Sequence, residues 1–216
     1  MAISPAVKQS PPPPSLPGFE HVRRSWNEHL QAYTARILPG EFYVTRSGEG
    51  ISTTLGSCIS ACIRDNLTGI GGMNHFMLPA TDASPEEAWK ATNLSAATRY
   101  GNYAMEHLIN EIMRNGGKRH NLEVKIFGGG RILANMTDVG RRNIQFVRDY
   151  LQTEGLKVTA EDVGDVFPRM VIYFPSTGKV RVKRLRSLHS NTIAEMENSY
   201  LSHIKEAPVS GEIELF

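Results

Sequence analysis

The way the β segments arrive constrains this chain most: they come in hairpins as well as beside helices. Residues 42–45 read as a short strand of aromatic and β-branched residues, followed by a turn at Ser47-Gly48-Glu49-Gly50. Residues 58–65 and 69–78 read as two strands joined by a tight turn. Residues 169–174 and 179–185 form a second hairpin across Pro175-Ser176-Thr177-Gly178. Strands over 123–127 and 157–162 sit beside helices over 86–114 and 138–153. The first helix carries an apolar face of Tyr103, Leu108, Ile109, Ile112 and Met113 and stops at Gly116-Gly117. Asp138 is the expected N-cap of the second, and Gly155 its stop. A loop is expected over 79–85 and a last helix over 191–204. Strands outnumber helices, which favours α+β with mixed sheets over a doubly wound parallel fold.

The remaining segments set the domain plan. Residues 1–18 are rich in Pro and Ser and read as a disordered or extended tail. Val22, Trp26, Leu30 and Tyr33 fall near helical spacing, so a helical extension is expected over 19–36, ended by Pro39-Gly40. One domain then occupies 37–206, and 207–216 forms a frayed C-terminal tail. A length of 216 residues with 40% hydrophobic content suits one domain with a real core.

Charge and composition exclude several classes. A formal charge of +2, from 24 basic and 22 acidic residues, gives no electrostatic reason to expect nucleic-acid or polybasic membrane-surface binding. No apolar run reaches the 18 or so residues of a membrane span, and no signal-peptide core precedes the Pro run 11–14. Two cysteines rule out a disulfide framework and suit a reducing cytosol.

The chemistry concentrates at Leu55-Gly56-Ser57-Cys58. Gly56 and Ser57 allow a sharp backbone turn and leave amide N–H groups to face a ligand, as an oxyanion requires. Strand alternation puts Cys58, Ser60, Cys62 and Arg64 on one face and Ile59, Ala61 and Ile63 on the other, core face. A turn centred between Asn66 and Leu67 sets Cys58 opposite His75, with Cβ atoms roughly 5 Å apart. A three-residue turn at Asn66, Leu67 and Thr68 breaks that pairing. A neighbouring imidazole lowers a thiol's pKa from about 8.5 and generates a nucleophile. Cys62 reads as inert core. Four residues of strand hold Cys58 and Cys62 about 13 Å apart, beyond disulfide reach. Cys58, Cys62 and His75 lack a fourth ligand at a recognisable spacing, so no metal or other cofactor is expected. Gly128-Gly129-Gly130 lacks a full phosphate-loop pattern and reads as a turn or close backbone packing. Lys179, Arg181, Lys183, Arg184 and Arg186 read most simply as a solvated strand edge, with a docking surface for an acidic partner as the alternative.

Two blocks together resemble the CheD family of chemoreceptor glutamine deamidases: Leu55-Gly56-Ser57-Cys58 and Gly71-Gly72-Met73-Asn74-His75-Phe76-Met77-Leu78-Pro79. Supporting matches are residues 37–44, 104–106, 125–129 and 168–178, so the resemblance runs from about 37 to 186. It implies a layered β-sandwich core with flanking helices, shared with some deamidating toxins. It implies Cys58 as nucleophile and His75 as general base. The family's third catalytic residue, a threonine six positions before the cysteine, falls on Ser52, with Thr53 beside it. Gly164-Asp165 stands where a second glycine is expected. The implied reaction converts glutamine side chains on the cytoplasmic domains of methyl-accepting chemoreceptors to glutamate through a cysteine thioester, with methyl-ester hydrolysis as a related activity. Implied partners are those receptors and a CheC-like phosphatase, in the cytoplasm at chemoreceptor arrays. A non-catalytic chemotaxis adaptor and a thiol peptidase are the competing readings.

Overall fold

The computed structural model describes residues 11–78, 96–132, 139–185 and 190–206. Two five-stranded mixed sheets organise them. The strands are β1 (Arg24–Asn27), β2 (Ala32–Arg36), β3 (Phe42–Thr45), β4 (Gly50–Leu55), β5 (Ile59–Asp65), β6 (Gly71–Asn74), β7 (Leu122–Gly128), β8 (Val158–Val163), β9 (Arg169–Phe174) and β10 (Lys179–Arg184). The helices are α1 (Ala96–Arg114), α2 (Val139–Thr153) and α3 (Ser190–Glu206). One sheet runs β1-β2-β4-β9-β10 and the other β3-β6-β5-β7-β8, each with a single parallel pair, β2/β4 and β7/β8. The α+β class with mixed sheets is therefore as expected. None of the described helices is long and apolar enough to cross a membrane.

The second sheet is covered on both faces. Even-numbered positions of β6 and of the residues just after it meet helices: Asn74 Nδ2 donates to Ala104 O on α1, and the Phe76 ring packs edge-on against Phe146 of α2. The odd-numbered positions meet the first sheet, where Thr53 of β4 touches His75. One apolar cluster accordingly contains Ala35, Ile51, Val171 and Tyr173 of the first sheet with Ile59, Ile63, Met73 and Val124 of the second. The alternation expected for β5 holds, but its more polar face is an inter-sheet layer. Cys58, at the entrance to β5, has no exposed surface.

The helix expected over 19–36 is absent: residues 19–23 are turns and irregular backbone, and residues 24–36 form the β1–β2 hairpin. Asn27 Oδ1 accepts from the N–H groups of His29 and Leu30, both at 3.1 Å, and Gln31 takes a left-handed φ of 50°. That turn sets Trp26 opposite Tyr33, with their rings edge to face at 5.3 Å. The apolar spacing that mimics a helix is thus a cross-strand pair plus one turn residue, and β2's pairing with β4 decides the outcome. Phe19 and Val22 lie in the common core, so this segment is part of the body rather than an extension. Leu16 packs on the same core, so contact with the body begins within the expected tail.

The strand expected over 69–78 ends at Asn74, and β4 (Gly50–Leu55) has no counterpart among the expected strands; the remaining expected boundaries that fall on described residues hold within a residue or two. Gly116 takes φ 101° after α1, and Gly155 takes φ 65° after α2. Leu108, Ile109 and Ile112 are buried, whereas Tyr103 is largely exposed beside His107. β10 is an edge strand with Lys179, Arg181, Lys183 and Arg184 exposed. The loop expected over 79–85, the first part of the first helix, Asp138, Arg186 and the tail over 207–216 lie outside the described residues.

Asp65 sets the register between β5 and β6. Its buried carboxylate accepts from the N–H groups of Leu67 (2.8 Å) and Thr68 (2.9 Å) within the connection. It also accepts from Lys118 N–H at 2.8 Å and Asn121 Nδ2 at 3.2 Å. Asp65 N–H bonds Ile70 O, closing a connection of Asn66 to Gly69. Burial alone would raise this carboxyl's pKa; its donors outweigh that and hold it well below the usual carboxylate range. Asp65→Ala should lower unfolding free energy by about 1–3 kcal/mol in urea titrations, because two turn amides and Lys118 N–H lose their acceptor. A depressed folded pKa stabilises above the unfolded value of about 3.9. The gap between the two proteins should therefore persist at neutral pH and close progressively as pH falls below that value.

Candidate active site

The four-residue connection changes which residues meet. Ile59 bridges Phe76, and Cys62 pairs with Met73, so Met77 rather than His75 lies level with Cys58. Neither short turn expected from the sequence is used. His75 still shares a face with Cys58, as its diagonal neighbour. The Cys58 sulfur, an imidazole nitrogen of His75 and a carboxylate oxygen of Glu197 lie within 4.8 Å of one another.

His75 is oriented from three sides. Its N–H donates to Glu41 O at 2.9 Å, and its carbonyl accepts from Gly40 N–H at 2.8 Å. Its Nδ1 lies 2.7 Å from Thr53 Oγ1. The Thr53 hydroxyl donates its single proton to Ile37 O at 2.9 Å, so it can only accept from the ring. Nδ1 therefore carries the proton and Nε2 holds a bare lone pair. Nε2 is buried and has no hydrogen-bond partner among the described residues. That is the tautomer a proton acceptor toward Cys58 needs.

Ser52 does not take this position. Its hydroxyl donates to Ala35 O at 3.3 Å, on the opposite side of β4. Ile51, Thr53 and Leu55 point inward and Ser52 and Thr54 outward, so strand parity gives the contact to Thr53. Counting positions back from the cysteine cannot detect that.

The backbone before Cys58 forms a nest of donors. The carbonyls of Gly56, Ser57 and Cys58 are all held from one side. Gly56 O accepts from Gly130 N–H at 2.7 Å, Ser57 O from Asn143 Nδ2 at 2.8 Å, and Cys58 O from Gly129 N–H at 2.7 Å. The three N–H groups then converge on Glu197. Gly56 and Cys58 donate to Oε1 at 2.9 and 3.2 Å, and Ser57 donates to Oε2 at 2.8 Å. Ser57 Oγ adds a fourth bond to Oε2 at 2.6 Å. Gly128 takes φ 111°, and a Cβ there would come within 2.2 Å of Cys58 O. The glycine run is therefore a close-packing surface, as expected, and it builds the nest.

Sequence reasoning missed Glu197 and Asn143. Glu197 had a visible signal: with Ile193, Leu201 and Ile204 it falls on the buried face of α3, a carboxylate within an apolar stripe. Asn143 lies similarly buried on α2. Cys58, His75 and Glu197 are the three metal-ligating side chains that cluster among the described residues. Both Glu197 oxygens already accept from strong donors, which is how an anion sits in an amide nest rather than how a ligand waits for a cation.

Ionisation in this arrangement is quiet. Burial first, and the Glu197 carboxylate second, push the Cys58 thiol well above its ordinary value. Burial lowers His75 to about 3. The pair is therefore neutral at pH 7. Cys62 is likewise buried and its thiol pushed up.

A thiol, an imidazole with one unpartnered nitrogen and a nest of backbone donors thus lie together on a two-sheet α+β scaffold. A family described as CheD chemotactic sensory transduction matches residues 77–184. A protein of Halorhodospira halophila is 54% identical over 204 residues, 94% of each chain. One of Hahella chejuensis is 51% identical over 97% of each chain, and one of Hydrogenovibrio crunogenus is 52% identical over 85% of this chain and 94% of its own. All three are named probable chemoreceptor glutamine deamidase CheD. The chain belongs to the CheD family.

The tautomer can be read directly. Nitrogen NMR of His75 should give a neutral ring protonated at Nδ1 from pH 7 to about pH 5. Ser52→Ala should preserve that signature, and Thr53→Val should lose the single tautomer.

Proposed function

We propose that this protein hydrolyses glutamine side-chain amides of chemoreceptors to glutamate and ammonia, with Cys58 as nucleophile. The observation that carries this reading is the convergence of three backbone N–H groups on a carboxylate beside a thiol and the imidazole of His75, whose Nε2 has no partner among the described residues. The names of its relatives supply the substrate class.

In the reaction, His75 Nε2 takes the Cys58 proton as sulfur attacks the amide carbon. The oxyanion forms in the nest of Gly56, Ser57 and Cys58 amides. The C–N bond then breaks and the nitrogen leaves as ammonia with the proton from His75. His75 Nε2 then takes a proton from water, the hydroxide splits the thioester to leave the glutamate carboxyl, and the proton returns to the Cys58 sulfur. Thr53 holds the imidazole in the tautomer this sequence needs. Metal and organic cofactors have no step in it. The cytoplasmic domains of methyl-accepting receptors are the substrates, which places the enzyme in the cytoplasm at receptor arrays, and a CheC-like phosphatase is a further partner.

Purified protein incubated with a receptor cytoplasmic fragment should convert glutamine to glutamate by mass spectrometry. Cys58→Ala should abolish conversion. Cys62→Ala should retain it, at a stability cost of about 1 kcal/mol. Thr53→Ala should lower kcat about tenfold or more, while Ser52→Ala stays near wild type. Full conversion by Cys58→Ala removes the nucleophile assignment. No conversion by wild type on any receptor fragment favours an adaptor role.

A further inference from the structure

Nothing in a hydrolytic cycle explains why the oxyanion nest is already filled. Glu197 satisfies the N–H groups of Gly56, Ser57 and Cys58 and the Ser57 hydroxyl together. It is itself buried, and Cys58 has no exposed surface. Gly56 is part of the fit: a Cβ there would lie 2.9 Å from both Glu197 oxygens. The carboxylate is therefore seated at close range, by a backbone shaped for it.

The identity of the side chain matters. Glutamate is the product of the proposed reaction, and its carboxylate stands where a product carboxylate or substrate amide would meet the sulfur. We infer that α3 is a built-in product mimic, which seats Glu197 in the substrate position and closes the active site until α3 is displaced by a segment presenting glutamine. This rests on the proposed deamidation for what the site accepts.

Three further features fit a seated but removable helix. α3 is held by Ile193, Leu201 and Ile204, with Glu197 in their middle, and by Tyr200, which packs on the core and hydrogen-bonds Tyr100 of α1. A cavity of about 330 Å³ remains beside the stripe, reaching His75 and Thr53 and bordered by Ile193 and Met196 of α3. Met196 is 45% exposed at its rim. The groove thus takes a helix with one acidic or amide side chain projecting inward, and it is not fully filled by the one it holds. Burial first, and the Glu197 charge second, oppose ionisation of Cys58, so the seated helix adds to what keeps the thiol neutral.

The test uses the full-length chain. Glu197→Ala should lower the melting temperature, because four buried donors lose their acceptor, yet leave the chain folded. It should speed iodoacetamide modification of Cys58 about tenfold or more, because the closed population no longer dominates. Deamidation of a receptor fragment should rise with it. Glu197→Gln places an amide where the carboxylate sits. The protein should then convert that side chain to glutamate by itself, with water consumed and ammonia released, and Cys58→Ala in the same chain should block the conversion. Folded Glu197→Ala protein with unchanged or slower labelling and less deamidation overturns the inference and makes Glu197 part of the working machinery. An amide at 197 that persists while a receptor fragment is converted overturns its placement in the substrate position. Faster labelling with no conversion of any receptor fragment sustains the closure and removes the deamidase reading instead.

Discussion

The site depends on how three consecutive peptide groups are held. The carbonyls of Gly56, Ser57 and Cys58 would normally alternate in direction along an extended strand. Here Gly130, Asn143 and Gly129 fix all three from one side. Their N–H groups must then gather on the other side, where they make a concentrated positive end without a charged residue. An unoccupied nest of buried donors is costly, since each lost hydrogen bond leaves a desolvated group. The arrangement therefore demands an anion, whether Glu197, an oxyanion or a product. The glycine run at 128–130 follows from this: any side chain at Gly128 would meet Cys58 O and push the loop away.

The same burial that focuses the donors suppresses the nucleophile. Desolvation favours the neutral thiol and the neutral imidazole alike, and the Glu197 charge reinforces it at sulfur. A preformed thiolate–imidazolium pair is not the resting state. What the fold supplies in advance is direction: the hydroxyl of Thr53, fixed by Ile37 O, commits Nε2 to accept a proton. Activation then requires the negative group in the nest to be exchanged for a neutral amide. That single exchange removes the charge beside Cys58 and delivers the bond to be broken.

Much of this was legible in the residues. Gly56-Ser57-Cys58 announced a turn with free amides, and glycine punctuation marked most element ends. The register that sets Cys58 directly opposite His75 is not the one the structure uses. The pairing survives because strand alternation depends only on parity, and a diagonal neighbour on the same face still reaches. Parity also separates Ser52 from Thr53: the face of β4, not the count back from the cysteine, decides which hydroxyl meets His75. The hairpin over 24–36 was hidden because Trp26, Leu30 and Tyr33 satisfy a helical period by chance of turn length. Glu197 was hidden by distance, being about 140 residues from its partners along the chain.

The chain divides its site between elements that differ in permanence. Thr53 lies on β4 and His75 just beyond β6, in opposite sheets, locked by ladders on both sides. Asn143 and the glycine run hold the nest from α2 and the end of β7. Glu197 alone comes from α3, which joins the body through side chains rather than through a sheet ladder. Hydrogen-bonded ladders open at close to the global unfolding free energy, whereas a peripheral helix opens at a fraction of it. The catalytic geometry can therefore stay intact while its occupant leaves. A glutamine-bearing segment competes only with one helix and one carboxylate, and never with the fold itself.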